Sequence, residues 1–250
     1  MTLSVHDLAP QTANLRAHWV AWGGAPDPDD ALVYYRSGLQ HPMLNGVLRL
    51  RDRPLDEAAT EVERRLAGLP WRWWVGPDSD PGVAAGLAAR GYVRRGAVPI
   101  MAMGLDRIPE PPLPDGLTIA RSDAAEYVGA YAGPFGVPPE LLEATVDAER
   151  RLRTDLGTLI RLVGRVDGRA VAAAAVLLTG EVAGLYWIAT DAAHRQKGIA
   201  AALTAAAMAA GREHGGSICT LQASSLGEPV YRRLGFATVA EIQAFTLPAD

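Results

Sequence analysis

What this chain can fold into is constrained most by residues 185–210, LYWIATDAAHRQKGIAAALTAAAMAA. Leu185, Tyr186, Trp187 and Ile188 make an apolar run of strand formers, a polar turn follows, and the Ala- and Leu-rich remainder has strong helical propensity. The hinge Arg195, Gln196, Lys197, Gly198, Ile199, Ala200 puts two cations and a glycine where the first helical N–H groups lack intrahelical partners. Such a terminus attracts an anion. The amides and the positive end of the helix dipole favour phosphate, Gly198 admits it close to the backbone, and Arg195 and Lys197 add charge. Two familiar phosphate loops do not fit: a nucleotide-triphosphatase loop needs Gly-Lys followed by Ser or Thr, and a dinucleotide fingerprint needs three glycines at G-x-G-x-x-G spacing. Neither occurs at this hinge.

The pattern R-x-x-G-x-A between strand and helix resembles the acetyl-coenzyme A pyrophosphate loop of the GNAT superfamily of N-acetyltransferases. A second stretch, Gly227-Glu228-Pro229-Val230-Tyr231-Arg232-Arg233-Leu234-Gly235-Phe236, follows an expected strand at 217–223. It is similar to the last helix of that family, in which a tyrosine four residues before a Gly-Phe pair points at the coenzyme sulfur. Order and spacing of both motifs agree, and the resemblance covers residues 117–247.

Several roles are implied by this resemblance. The backbone of Ile188, Ala189 and Thr190, on a strand that splays from its parallel neighbour after Ile188, would pair with the pantetheine arm. The amides of Gln196, Lys197, Gly198, Ile199, Ala200 and Ala201, with Arg195, would hold the pyrophosphate. Tyr231 would protonate the departing thiolate, and Ser224, where many relatives carry asparagine, would contact the coenzyme or cap the next turn. Many relatives place a glutamate base eleven residues before the phosphate motif; here that position is Gly184. Glu181 should face the other side of the sheet, whereas Tyr186 shares the side of position 184 and is a candidate acting through water. Glu143, Asp147 and Glu149 read as a solvated helix face, His194 as a bystander and Cys219 as a packing residue, so the base stays unassigned.

A chain of 250 residues has room for two domains of about 120. Residues 11–22 are expected to form a helix with Leu15, Trp19 and Trp22 on one face. From Val47 onward the order reads β, α, β, α, β, with Asp56 as the N-cap of a helix at 56–66, and Ala89-Arg90-Gly91-Tyr92 imitates the Leu-Gly-Phe corner. The connection Arg51-Asp52-Arg53-Pro54-Leu55 has no glycine, and Asp52 and Asp56 would repel a diphosphate. The expected fold is therefore α+β (mixed α/β): two tandem GNAT-like domains, each a mixed, mostly antiparallel sheet flanked by helices, with the coenzyme at a splayed strand pair of the second. Residues 1–106 form the degenerate copy, 107–116 a stiff Pro-rich linker and 117–250 the catalytic domain. Trp71, Trp73 and Trp74 read as packing residues of the first half, with an acceptor pocket as the alternative.

The net charge of -4 offers no broad basic field for nucleic acid or a membrane surface, and no apolar run approaches the ~18 residues of a span. One cysteine permits no intrachain disulfide, and the first residues lack a basic region followed by an apolar core, so a cytoplasmic location is expected. The expected activity is acetyl transfer from acetyl-coenzyme A to a primary amine of a small molecule, without metal, by a monomer or homodimer. The alternative is a non-catalytic sensor of acetyl-coenzyme A.

Overall fold

A computed structural model describes residues 3–248. The chain runs α1 (Leu8–Val20), β1 (Leu32–Arg36), β2 (Asn45–Leu50), α2 (Leu55–Arg65), β3 (Arg72–Val75), α3 (Val83–Ala89), β4 (Val93–Gly104). After residues 105–116, which hold neither helix nor strand, come β5 (Leu117–Arg121), α4 (Ala124–Ala132), α5 (Leu142–Arg150), β6 (Thr158–Val166), β7 (Arg169–Thr179) and β8 (Val182–Thr190). The chain ends with α6 (Ile199–Glu213), β9 (Ile218–Gln222), α7 (Glu228–Arg233) and β10 (Ala237–Thr246). Among the described residues no helix is long and apolar enough to cross a membrane.

Local chemistry accounts for most boundaries. Asp123 caps α4 by accepting from the Glu126 amide at 2.9 Å, and Asp167 and Gly168, both at positive φ, turn the β6–β7 hairpin. Two expectations are corrected. The first helix starts and ends earlier than 11–22, and it is buried around most of its girth, including Gln11, Asn14, Arg16 and His18. Asp56 is not a cap: α2 begins after Pro54 with no side-chain cap, and Asp56, within the first turn, pairs with Arg90 at 2.5 Å.

The mixed α/β architecture is as expected, but the sheets of the two halves are joined into one of ten strands, ordered β1-β2-β3-β10-β4-β9-β8-β7-β6-β5. Among the described residues, only β2–β3 and β8–β9 pair in parallel. At the centre the halves exchange strands. The last strand of the first half, β4, runs antiparallel to β9, while β10, the last of the second half, lies between β4 and β3.

The repeat also survives in detail. Gly91 and Gly235 both take positive φ, and the next residue donates five residues back in each corner: Tyr92 N to Leu87 O and Phe236 N to Tyr231 O, both at 3.0 Å. The first-half counterpart of Tyr231 is thus Leu87. Two apolar clusters cover the faces of the second half. One combines α6 and α7 with the sheet, including Leu203, Met208, Tyr231 and Phe236. The other gathers α1 and α4 over Tyr186, Trp187 and Ile242.

Candidate functional site

The opening in the sheet is between β8 and β9. Their parallel register ends at the pair Leu185↔Leu221, while β8 continues along β7 to Thr190. The strands therefore part after Leu185, three residues earlier than expected, and a bulge explains the shift. Trp187 has φ of 53° and, with Ile188, opposes Ala174 alone, which re-aims the strand and puts Tyr186 and Trp187 together on the α1/α4 face.

On the other face the β8–α6 connection presents a run of unpaired backbone amides. Asp191 accepts from the Ala193 amide at 2.9 Å, and Arg195 Nε donates to Thr190 O at 3.2 Å. Gln196 and Gly198 take φ of 62° and 82°, and buried Ile199 anchors the first turn of α6 to the apolar cluster that contains Tyr231. The first helical bond runs from Ala202 N to Gly198 O. Among the described residues, no acceptor is found for the amides of the six consecutive residues 196–201, and the helix has no side-chain cap. Arg195, Gln196, Lys197 and Gly198 are exposed beside them.

Tyr231 lies on α7, 7 % exposed, its ring edge-on to Phe236. Its hydroxyl has no hydrogen-bond partner among the described residues, and burial, then neighbouring Cys219, pushes its pKa above the ordinary tyrosine value. Such a group stays protonated and is a donor in waiting. Cys219 is fully buried, with its thiol pushed up by burial, as a packing residue should be. Ser224 closes the turn into α7, its carbonyl accepting from Glu228 N at 2.9 Å and its hydroxyl from Gly227 N at 3.2 Å.

The position without the glutamate has a physical explanation that lies in α1. A Cβ at Gly184 would overlap Asn14 Oδ1 and come within 2.7 Å of Tyr186. Asn14 Nδ2 is directed at Leu177 O (2.9 Å), Thr179 Oγ1 (2.8 Å) and Val182 O (3.2 Å), and its Oδ1 accepts from the Tyr186 hydroxyl at 2.6 Å. One turn earlier, Gln11 Oε1 accepts from Thr220 Oγ1 at 2.9 Å, and Thr220 is the register partner of Gly184. One turn later, His18 stacks on Tyr186 with centroids 3.6 Å apart, and burial pushes its pKa down to about 3.

Tyr186, one candidate for a role through water, instead donates its hydroxyl hydrogen bond to Asn14, and burial holds its pKa well above the usual value. Glu149 departs from the solvated face expected of α5. It is 2 % exposed and paired with Arg161 Nε at 2.7 Å, whereas Glu143 and Asp147 are exposed. Sequence reasoning missed Gln11, Asn14 and His18; their signal was a polar stripe at helical spacing in an otherwise apolar helix.

This geometry meets an independent comparison: residues 143–246 match the family model of the acetyltransferase (GNAT) domain. The chain thus has the fold of GNAT N-acetyltransferases, tandem ones included, and its second half is similar to their acetyltransferase domain. Among solved structures it is similar to a GCN5-related N-acetyltransferase from Kribbella flavida, with TM-score 0.70 and 20% identity, covering 97% of this chain and 96% of that one. It also resembles a tandem GNAT protein from the clavulanic acid biosynthesis pathway, with TM-score 0.61 and 16% identity over 99% of this chain and 98% of that one. A GCN5-related N-acetyltransferase from Sphaerobacter thermophilus aligns at TM-score 0.60 and 19% identity, covering 76% and 65% of the two chains. No curated protein matches the chain by sequence.

Proposed function

We propose that the chain is an acetyl-coenzyme A-dependent N-acetyltransferase that acetylates a primary amine of a small molecule by direct attack at the β8–β9 opening. The observation that carries this reading is the run of six acceptor-free amides at 196–201, beside a parallel strand pair that parts. These amides, with Arg195 and Lys197, suit a pyrophosphate. The backbone of Ile188, Ala189 and Thr190 along the opening would take the pantetheine amides as an added strand, with Ser224 on the opposite rim. The bound coenzyme supplies an acetyl thioester. Tyr231, held protonated by burial, donates its proton to the leaving sulfur, and the attacking nitrogen gives up one in exchange.

Catalysis is assigned to residues 117–250, with 107–116 as the linker. Residues 1–106 are a degenerate copy, and their own phosphate position supports this. The connection Arg51, Asp52, Arg53, Pro54 includes a proline without an N–H, the Asp52 amide is taken by Asp80 at 2.6 Å, and Leu87 replaces the tyrosine.

A second reading, a non-catalytic acetyl-coenzyme A sensor, is favoured by one observation: Asn14, which cannot act as a base, fills the place of the glutamate. Thiol release against a panel of amines, with calorimetric titration of acetyl-coenzyme A, separates the two. The transferase turns over at least one amine, and Tyr231→Phe lowers kcat about 100-fold while keeping coenzyme affinity. Binding without thiol release from any amine would favour the sensor, and no binding would refute both.

A further inference from the structure

Where the sheet opens, a cavity of about 150 Å³ reaches the C-terminal end of β9 at Gln222, Ala223 and Ser224. It lies on the α1/α4 face, opposite α6, and meets the opening through the end of β9. Its apolar wall includes Leu15 and Trp19 of α1, Trp74 of β3, Val98 of β4, Phe135 of the α4–α5 connection and Ile242 of β10. Four of these six belong to the half whose phosphate position is lost.

The charged groups on this wall are already committed. Arg16 is 4 % exposed and pairs with Asp78 and with Asp29 (2.6 Å), while its Nε donates to Pro28 O at 2.6 Å. Asp78, the carboxylate of the lining, is thereby neutralised. Trp74 is fixed as well, its Nε1 donating to Tyr35 at 3.2 Å, with the Arg72 guanidinium 5.7 Å from its ring.

We infer that this cavity is the acceptor site, that the degenerate half is retained to wall it, and that its ligand is a primary amine on a single aromatic ring or an apolar body of that size. The inference rests on the transferase reading above. Apolar cavities of about 150 Å³ take one six-membered ring. Gln222 and Ser224 are the uncommitted polar groups of the lining, too few for the several charges of a polycation or the several hydroxyls of an aminosugar. An ammonium entering an apolar wall is disfavoured against the neutral amine, so the cavity itself selects the reactive form, which fits a lining whose one carboxylate, Asp78, is already paired with Arg16. The step then balances: the amine nitrogen bonds to the acetyl carbon, the C–S bond breaks, Tyr231 delivers its proton to sulfur, and the proton lost by nitrogen passes to solvent, from which the Tyr231 oxygen regains one.

The test is steady-state thiol release with phenethylamine and benzylamine against spermidine and glucosamine, in the full chain with saturating acetyl-coenzyme A. The ring amines should lead in kcat/KM by at least about 100-fold. Trp74→Ala should raise the phenethylamine KM about tenfold with kcat little changed, and Trp74→Phe should restore most of it. Thermal melts establish that the variants are folded. Preference for spermidine or glucosamine, or a phenethylamine KM indifferent to Trp74→Ala in folded protein, overturns the inference. So does wild-type protein that binds acetyl-coenzyme A but releases no thiol with either ring amine. Failure to bind acetyl-coenzyme A would instead overturn the reading beneath it.

Discussion

Replacing Gly184 by alanine should destabilise the fold by about 3 kcal/mol, although the backbone there suits any residue and alanine normally strengthens a strand. The added methyl overlaps Asn14 Oδ1, so the Asn14 amide has to leave its seat. It then loses its bonds to Leu177 O, Thr179 Oγ1 and Val182 O, and the buried Tyr186 hydroxyl loses its acceptor. At about 1 kcal/mol for each of the amide's two donors and about 1 to 2 for the orphaned hydroxyl, the sum is near 3 kcal/mol. Asn14→Ala loses the same set and should cost the same. Because the two changes break one set of bonds, and only the approach of the methyl to the Tyr186 ring is added, the double variant should lie nearer about 3 kcal/mol than 6, a coupling of about 2 to 3 kcal/mol. Urea unfolding of the four proteins measures this, with shifts in Tm of about 6 to 12 °C for each variant. Additive losses, or a Gly184→Ala protein as stable as wild type, would refute the view that Gly184 exists to admit Asn14.

His18 makes stability depend on pH. It is neutral in the fold down to about pH 3 but takes up a proton below about 6.5 when unfolded, so its contribution is full above 6.5 and falls as pH drops from 6.5 toward 3. The loss by pH 5 should be about 2 kcal/mol, and His18→Phe, which keeps a stacked ring, should flatten the denaturation midpoints between pH 7 and 5. Arg195→Ala and Lys197→Ala should each weaken acetyl-coenzyme A about tenfold in titrations, with a smaller effect at high salt. Proteolytic cleavage within residues 107–116 should leave the two fragments together on size-exclusion chromatography without denaturant, because β4 and β10 each pair across the halves; separation there would contradict the exchanged sheet.

The parts legible in the sequence were those whose geometry is local. The hinge at 195–200 and the corner at Tyr231 carry their own turn chemistry, and the Gly91 corner shows the repeat for the same reason. The exchange of β4 and β10 was not legible: an apolar strand after a Gly corner reads alike whichever neighbour it pairs with. Gly184 reads as a bare gap in the sequence, because the side chain that fills the space beside it comes from Asn14, 170 positions earlier. The first helix was read from Leu15, Trp19 and Trp22, but its buried polar residues find partners only in tertiary structure. Glu149 was hidden for a similar reason, since its neighbours Glu143 and Asp147 are solvated and only Arg161 on β6 accounts for its burial.

The central claim is that one acetyl-coenzyme A site exists per chain, at the loop of residues 196–201, and that the first half has none. Isothermal titration with acetyl-coenzyme A counts it directly. A stoichiometry of one, retained when Asp52 is replaced by alanine and weakened by Lys197→Ala, is the predicted result. Two sites per chain would mean that the first half still binds the coenzyme, and none would mean that the free amides at 196–201 serve something else.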